Sequence, residues 1–151
     1  SRNWVKMRFA ETYLMLAEAY GRKGDFAKAT EYINIVRARA AYKEGEYRPD
    51  WANKNGQLAD TEKGMMVTPE QISTNFIDFM LDELGREFLG EARRWEDLVR
   101  CEKLVERVKA HNVLAAPNIK EYHKLRPIPQ NHIDRLDPAG PINEEQNEGY
   151  Y

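Results

Sequence analysis

Hydrophobic positions recur at helical spacing in two blocks of the chain, and an aperiodic stretch separates the blocks. In the first block, apolar residues occupy most sides of residues 4–20, which predicts a helix packed on more than one face. Gly21 and Gly24 predict its end, and Asp25 predicts the N-cap of a second helix over residues 26–42. The inward stripe of that second helix consists of Ala29, Ile33 and Val36.

Small residues stand in this hairpin where two helices must approach each other. Ala17 and Ala29 allow the approach, and Tyr20 fills the space beside them. The spacing resembles that of one tetratricopeptide-type unit. The residues at the positions of that repeat are Leu16, Ala17, Tyr20, Gly24, Ala29 and Ile33. We therefore predict an all-α fold of tetratricopeptide-like hairpins.

The second block begins with a strong helix start. Thr68 predicts a cap, Pro69 the first helical position, and Gln71 the partner in a capping box. Apolar residues then recur every fourth position, at Ile72, Phe76, Met80, Leu84 and Phe88. This pattern predicts a third helix that runs to a break within residues 90–92.

A fourth helix is expected after that break and ends by Asn112. Its inward-facing residues are Trp95, Leu98, Val99, Leu104, Val105 and Val108. The two predicted hairpins therefore span residues 4–42 and 68–109. Cys101 falls among the apolar residues of the fourth helix, which favours a buried, inert thiol.

Residues 43–67 lose all periodicity and are rich in turn formers, which predicts a long loop between the hairpins. Tyr47 and Trp51 are its large aromatics, and they stand beside Asp50, Asn53 and Asn55. Aromatic faces next to amides and carboxylates suit sugar rings, so Tyr47 and Trp51 are candidate ligand contacts. The alternative is that both side chains pin the loop to the helices.

The C-terminal part has no helical period. Alternate prolines make residues 123–130 extended, because each proline fixes φ and excludes helix. Residues 131–135 are expected to form a short helical turn, and residues 138–151 are expected to be coil. The tail therefore predicts an extended, proline-rich segment.

Composition narrows the functional class. The chain has 151 residues, 32% of them charged and 42% hydrophobic, with a net charge of -2, which indicates a globular domain without general affinity for nucleic acid. No apolar run approaches the about 20 residues that span a bilayer. Residues 1–4 do not resemble a signal peptide. His111, His123 and His132 lack metal-ligand spacing, so we expect no metal and no cofactor.

Three carboxylates lie four residues apart on the third helix and just beyond it. Glu83, Glu87 and Glu91 suggest a glycosidase pair, because neighbours at this spacing are about 5–6 Å apart. Ion pairing is the stronger interpretation, since Arg86 lies near Glu83, and Arg93 and Arg100 lie near Asp97. We expect these charges to form a network that joins the third helix to the fourth.

Three stretches together resemble the SusD/RagB family of outer-membrane nutrient-binding lipoproteins. The first consists of residues 8–19 with Gly24-Asp25, Ala29 and residues 34–39. The second consists of Glu83, Glu87, Phe88, Glu91, Arg94, Trp95, Asp97, Leu98 and Arg100. The third consists of His123, Leu125, residues 127–130, Gln146-Asn147 and Gly149-Tyr150. The chain departs from the family pattern at Leu84, Ala92 and Glu148.

The resemblance implies a single domain over residues 1–151 that forms the C-terminal region of a longer surface lipoprotein, whose signal and lipid cysteine lie outside this chain. It also implies a role in capturing a glycan or other nutrient for a SusC-like, TonB-dependent transporter in the outer membrane, without catalysis. A helical-repeat scaffold that binds only proteins is the alternative, and glycoside hydrolysis through Glu83 and Glu87 is a third hypothesis. The resemblance assigns no ligand contact to a motif residue.

Overall fold

The computed structural model describes residues 7–43, 45–47, 62–137 and 140–151. The elements in these ranges are helices, which confirms the all-α fold class. The fold divides after Gly90 into two compact units, each described by itself below. The single domain and the second hairpin, which crosses this division, stay predictions.

The first unit opens with a helical hairpin of α1, Phe9–Arg22, and α2, Phe26–Ala40. The Asp25 carboxylate accepts a hydrogen bond from the Lys28 N–H at 3.0 Å, which confirms the predicted N-cap. Gly24 has a φ of +83° and ends α1 in a Schellman motif, in which the Asp25 N–H donates to the Tyr20 carbonyl at 3.0 Å. Gly24 and Asp25 therefore form the short turn that joins α1 to α2.

Both ends of the hairpin differ slightly from the sequence prediction. Trp4 lies outside the described residues, and Met7 and Arg8 precede α1 without being helical. The N-cap position Arg8 has an extended backbone, with φ −118° and ψ 154°. At the other end, α2 stops at Ala40 because Ala41 turns into the extended region, so Tyr42 is not helical.

Three further helices lie in the described part of the first unit. They are α3, Glu62–Met65, α4, Pro69–Ser73, and α5, Phe76–Glu87. The predicted capping box is confirmed, because the Gln71 side-chain oxygen accepts from the Thr68 N–H at 2.9 Å. The prediction of a loop over residues 43–67 is wrong near its C-terminal end, where α3 forms.

The prediction of one continuous third helix is wrong. The chain leaves the helix between α4 and α5, where Asn75 adopts φ −133° and ψ 55°. The Asn75 carbonyl then accepts from the Phe79 N–H at 2.9 Å, and this hydrogen bond begins α5. Neither glycine nor proline marks this break, so the periodic pattern conceals it.

The core of the first unit confirms the apolar stripe. Its buried members from α4, α5 and the turn after α5 are Ile72, Phe76, Met80, Leu84 and Phe88. Residues from the hairpin join them in one cluster, namely Ala10, Leu14, Ala17, Ala29, Ile33 and Val36. Burial of this cluster is the main stabilising contribution to the unit.

Gly21 has a different role from the predicted one. It lies inside the last turn of α1, is buried, and faces the Phe76 ring of α5. A Cβ atom at this position would stand 2.0 Å from the Phe76 Cζ. The missing side chain therefore makes room for a ring of the neighbouring helix.

The second unit contains α6, Arg94–Arg100, and α7, Leu104–His111, where one helix was predicted. The break is a Schellman motif centred on Glu102, whose φ is +58°. The Lys103 N–H donates to the Leu98 carbonyl at 2.8 Å, and the Glu102 N–H donates to the Val99 carbonyl at 2.9 Å. A glutamate thus occupies the position that glycine usually takes.

Burial in the second unit follows the prediction only in part. The buried residues of α6 and α7 are Asp97, Leu98, Leu104 and Val105. Trp95, Val99 and Val108 are half-buried. Cys101 is also half-buried, so the prediction of a buried thiol is wrong; it directly follows α6 at the helix end, where packing is one-sided.

Short helices interrupt the predicted tail. A 3-10 helix covers Glu121–Lys124, so His123 and Lys124 are not extended as predicted. The predicted short turn is confirmed as α8, Gln130–Ile133, and α9, Ile142–Glu145, lies in the segment predicted as coil. Pro129 and Pro141 each directly precede one of these helices, where a proline is compatible with helix initiation.

A side-chain clasp fixes the extended segment 125–128. The Gln146 Oε1 accepts from the Ile128 N–H at 2.7 Å, and its Nε2 donates to the Ile128 carbonyl at 2.9 Å. Two further donors reach carbonyls of this segment: Asn147 Nδ2 to Arg126 at 2.7 Å and Tyr150 OH to Leu125 at 3.0 Å. The clasp satisfies backbone groups that an extended segment outside a sheet would otherwise leave to water.

We expect Gly21→Ala to lower the free energy of unfolding by about 1–3 kcal/mol, because the new methyl group collides with the Phe76 ring. In an exposed helix position the same change stabilises. Urea denaturation of the intact protein measures the effect. In a Phe76→Leu background the cost of Gly21→Ala should shrink, and an unchanged cost would contradict the proposed collision.

We expect Gln146→Ala to speed hydrogen exchange of the Ile128 amide about tenfold, because the amide loses its acceptor. Asn147→Ala is the control, since it removes a contact to Arg126 and leaves the Ile128 pair in place. Exchange monitored by mass spectrometry or NMR separates the two. Equal acceleration in both variants would show that the segment opens as a whole.

Candidate functional site

A cleft of about 380 Å³ lies on the first unit, between α2, α3 and α5. Its lining residues are Val36, Arg37 and Ala40 from α2, Met65 from α3, and Glu83, Arg86 and Glu87 from α5. The apolar side chains belong to α2 and α3, and the acidic ones to α5. The cleft thus combines an apolar wall with a charged wall, as ligand sites commonly do.

A bidentate ion pair joins the two walls. The Arg37 Nε and NH2 atoms donate to the two Glu83 carboxylate oxygens at 3.0 and 2.6 Å. The third nitrogen, NH1, donates to the Met65 carbonyl at 2.7 Å, and the Phe79 ring lies 5.4 Å from the guanidinium carbon. Arg37 therefore ties α2 to both α3 and α5. The two side chains are only 16% and 6% exposed.

The two α5 carboxylates that line the cleft, Glu83 and Glu87, are each shared by two arginines. Arg86 donates to the same oxygen of Glu83 that Arg37 NH2 contacts, at 2.6 Å. Glu87 accepts from Arg8 NH1 at 2.8 Å and from Arg39 NH2 at 2.5 Å. Arg8 also donates to the Glu87 carbonyl at 2.8 Å. The ion network consequently joins α5 to the start of the chain and to α2.

Glu83 is held in its ionised form. Burial by itself would raise the pKa of this carboxyl, but the hydrogen bonds and charges of Arg37 and Arg86 outweigh it and keep the pKa below its ordinary value. A glycosidase general acid needs the opposite shift, since it must carry a proton near neutral pH. Glu83 is therefore suited to a structural ion pair and unsuited to acid catalysis.

The sequence located some of these ion pairs and missed others. Arg86 with Glu83, and Arg100 with Asp97 at 3.5 Å, are confirmed as local pairs. The long-range partners of Glu83 and Glu87 are Arg8, Arg37 and Arg39, which lie 46 to 79 residues away in the chain. Local charge spacing contains no signal for them.

The two aromatic candidates fare differently. Tyr47 is 92% exposed, so its ring does not pack against the described helices and is free to contact solvent or a ligand. Trp51 lies outside the described residues. Both residues belong to the connection between α2 and α3. Ala40 is the last residue of α2 and Met65 is the last residue of α3, and both line the cleft. Ligand contact at Tyr47 and Trp51 stays a prediction.

An aromatic row on the hairpin was not predicted as a unit. Tyr13 and Tyr32 stack with ring centroids 6.2 Å apart, and Tyr20 and Tyr32 stack at 5.7 Å. Phe9 meets Tyr13 edge-on at 4.8 Å, and the Lys28 ammonium lies over Tyr20 at 5.1 Å. Because these tyrosines face one another, the row stabilises the hairpin, while Phe9 at its end stays exposed.

Trp95 of the second unit is also covered. The guanidinium carbon of Arg126 lies 4.4 Å from the Trp95 ring centroid, a cation–π contact. Arg126 stands in the extended segment that Gln146 and Asn147 hold. The tryptophan therefore anchors the tail within its unit, which agrees with a structural role for this motif residue.

The described ranges contain neither a membrane-spanning helix nor a metal-binding cluster of side chains. No helix there is long and apolar enough to cross a membrane. In the same part of the chain, no group of three or more histidine, cysteine, aspartate or glutamate side chains stands close enough to hold a metal ion. The charged cleft is the candidate site in the described part of the first unit.

Known sequences are similar to this chain along its whole length. The sequence model described as the SusD family matches residues 1–150. SusD-like protein P25 of Formosa agariphila is 28% identical over 153 residues, which cover 99% of this chain and 25% of that protein. SusD-like protein P38 of the same organism is 32% identical over 104 residues, covering 69% of this chain and 18% of that protein.

The chain spans about a quarter or less of the curated relatives that it matches. No solved structure matches it with significance. The three motif stretches described above fall within the matched range, and the contacts made by Arg37, Glu83 and Gln146 show that residues in each stretch hold the fold.

We expect Glu83→Gln to cost about 3 kcal/mol in the free energy of unfolding at pH 7, because Arg37 loses its buried counter-ion. The lowered pKa of Glu83 means that its stabilising contribution is complete above the ordinary value of 4.5 and is lost as the pH falls through the folded-state pKa. The variant should therefore lose less stability than the parent protein on acidification. Denaturant titrations across this range measure both effects.

Glu106→Gln is the matched control, since it removes an exposed ion pair with Lys103 and should cost less than about 1 kcal/mol. Equal losses in the two variants would contradict a special contribution from the buried pair.

Proposed function

We propose, because this chain belongs to the SusD family, that it is part of a non-catalytic cell-surface protein that binds a nutrient, in particular a glycan. The bound ligand passes to a SusC-like, TonB-dependent transporter in the outer membrane. The match of the family over residues 1–150 is the observation that carries this proposal. Surface attachment through a lipid anchor is part of the same proposal.

The charged cleft supports binding over catalysis. Glu83 is held ionised by two arginines, and Glu87 accepts hydrogen bonds from two more. An ionised Glu83 has no proton to donate to a leaving group, and glycoside hydrolysis requires such a donor. Capture and release of an intact ligand need only hydrogen bonds and apolar contacts, both of which the cleft provides.

The connection between α2 and α3 is the proposed contact region for the sugar. Tyr47 presents an open aromatic ring, and Trp51 is the second aromatic residue of the same segment. The apolar face of a pyranose stacks on such rings while its hydroxyl groups bind neighbouring polar side chains. The last residue of α2, Ala40, and the last residue of α3, Met65, both line the cleft, which supports a contact region next to it.

A helical-repeat scaffold without a small-molecule ligand is the second candidate. The outer face of α1 exposes apolar side chains, among them Phe9, Met15 and Leu16. Exposed apolar residues on a helical hairpin suit contact with another protein. Under this alternative, the transporter co-purifies with the protein while no glycan or oligopeptide is retained.

We expect the intact protein to be retarded in affinity electrophoresis by at least one member of a panel of neutral and acidic glycans. Tyr47→Ala and Trp51→Ala should reduce that retardation, because each removes a ring on which a sugar stacks. Tyr151→Ala is the control, since it removes another exposed tyrosine from the C-terminal unit. Absence of retardation by every glycan, together with absence of oligopeptide binding, would contradict nutrient capture and favour the scaffold.

A further inference from the structure

The charged rim of the cleft consists of the lining residue Arg86 and of Arg39, which contacts the lining residue Glu87, and both guanidinium groups use few of their donors. Arg86 contacts Glu83 at 2.6 Å, and Arg39 contacts Glu87 at 2.5 Å. A guanidinium group has five N–H donors in a planar fork. The side chains of Arg86 and Arg39 are 58% and 56% exposed, so the remaining donors face solvent.

Positive charge exceeds negative charge within the ion network, which consists of four arginines and the two carboxylates of Glu83 and Glu87. The single charge of Glu83 is already engaged by Arg37, which binds it in bidentate fashion and lies deeper than Arg86. Arg86 therefore adds a second positive charge to a carboxylate that is largely neutralised. Arg39 likewise adds its charge to Glu87, which also accepts a hydrogen bond from Arg8. An anion that approaches the cleft meets an attractive potential.

The opposite wall of the cleft is apolar. Val36, Ala40 and Met65 line it, with the cleft volume at about 380 Å³. A site of this size accommodates a sugar unit, whose ring carries an apolar C–H face. A charged rim above an apolar wall thus calls for a ligand that has both a ring face and an anionic substituent.

We propose that this cleft is a subsite for a uronic-acid unit of an acidic glycan. Arg39 and Arg86 donate to the sugar carboxylate, and the wall formed by Val36, Ala40 and Met65 contacts the ring face. The planar guanidinium fork matches the two oxygens of a carboxylate, which favours this group over other anionic substituents. The inference rests on the proposed function, because it names the class of glycan that the protein captures.

The subsite separates structural from ligand-binding arginines. Arg37 is buried and uses all three of its guanidinium nitrogens within the fold, so it holds the cleft together. Arg39 and Arg86 each make one contact and are more than half exposed, so their replacement should leave the fold intact. Mutation of these two arginines therefore tests binding without destroying the site.

Isothermal titration calorimetry of the intact protein with oligogalacturonate, oligomannuronate and oligoguluronate tests the proposal. We expect at least one of these acidic oligosaccharides to bind, and we expect the Arg39→Gln/Arg86→Gln double variant to bind it about tenfold more weakly. Lys109→Gln removes an exposed cation from the C-terminal unit and should bind as the parent protein does. Thermal unfolding verifies the fold, and Arg86→Gln alone replaces the double variant if the latter does not fold.

The outcomes separate this inference from the proposed function. If neutral glycans bind and none of the three acidic oligosaccharides does, the subsite is refuted while nutrient capture stands. If an acidic oligosaccharide binds equally well to the parent protein and the double variant, capture again stands and these arginines are not its contacts. If dextran sulfate binds as tightly as the best uronic-acid oligosaccharide, the cleft recognises charge alone, which contradicts carboxylate recognition. If no glycan binds at all, the proposed function fails together with the subsite.

Discussion

The bidentate pair between Arg37 and Glu83 is the interaction on which the cleft of the first unit depends. Removing two charges from water is costly, and the cost is offset only where every donor and acceptor finds a good partner. Arg37 meets this condition, because its three nitrogens reach Glu83 and the Met65 carbonyl. One side chain thereby ties α2 to both α3 and α5. The cleft exists because these helices are held in that arrangement.

Hydrophobic periodicity was sufficient to predict the hairpin and the buried stripe, but not the helix ends. The same Schellman motif closes α1 at Gly24 and α6 at Glu102, and only the first carries the glycine that reveals it. The break at Asn75 is likewise unmarked by glycine or proline. Such breaks are set by backbone hydrogen bonds and tertiary packing, which leave the apolar spacing unchanged and are therefore not visible in a sequence pattern.

The candidate site was less predictable than the fold. Glu83 and Glu87 drew attention from sequence, yet their decisive partners come from the hairpin, where no local spacing points to them. A similar relation holds in the C-terminal unit, where Gln146 binds Ile128 eighteen residues earlier. The residues that match the family pattern contact other residues of the fold. They therefore identify the fold of the protein. Ligand identity depends on exposed residues such as Tyr47, whose chemistry the scaffold does not dictate.

The unequal burial of the arginines in one ion cluster gives it two different responses to dissolved salt. Mobile ions screen exposed charges strongly and buried pairs only slightly. Arg37 and Glu83 are nearly withdrawn from solvent, whereas Arg86 is more than half exposed. As ionic strength rises, the architecture of the cleft is therefore preserved while its attraction for anions weakens. In this way, the ionic strength of the solution sets the affinity for a charged ligand without any change in conformation.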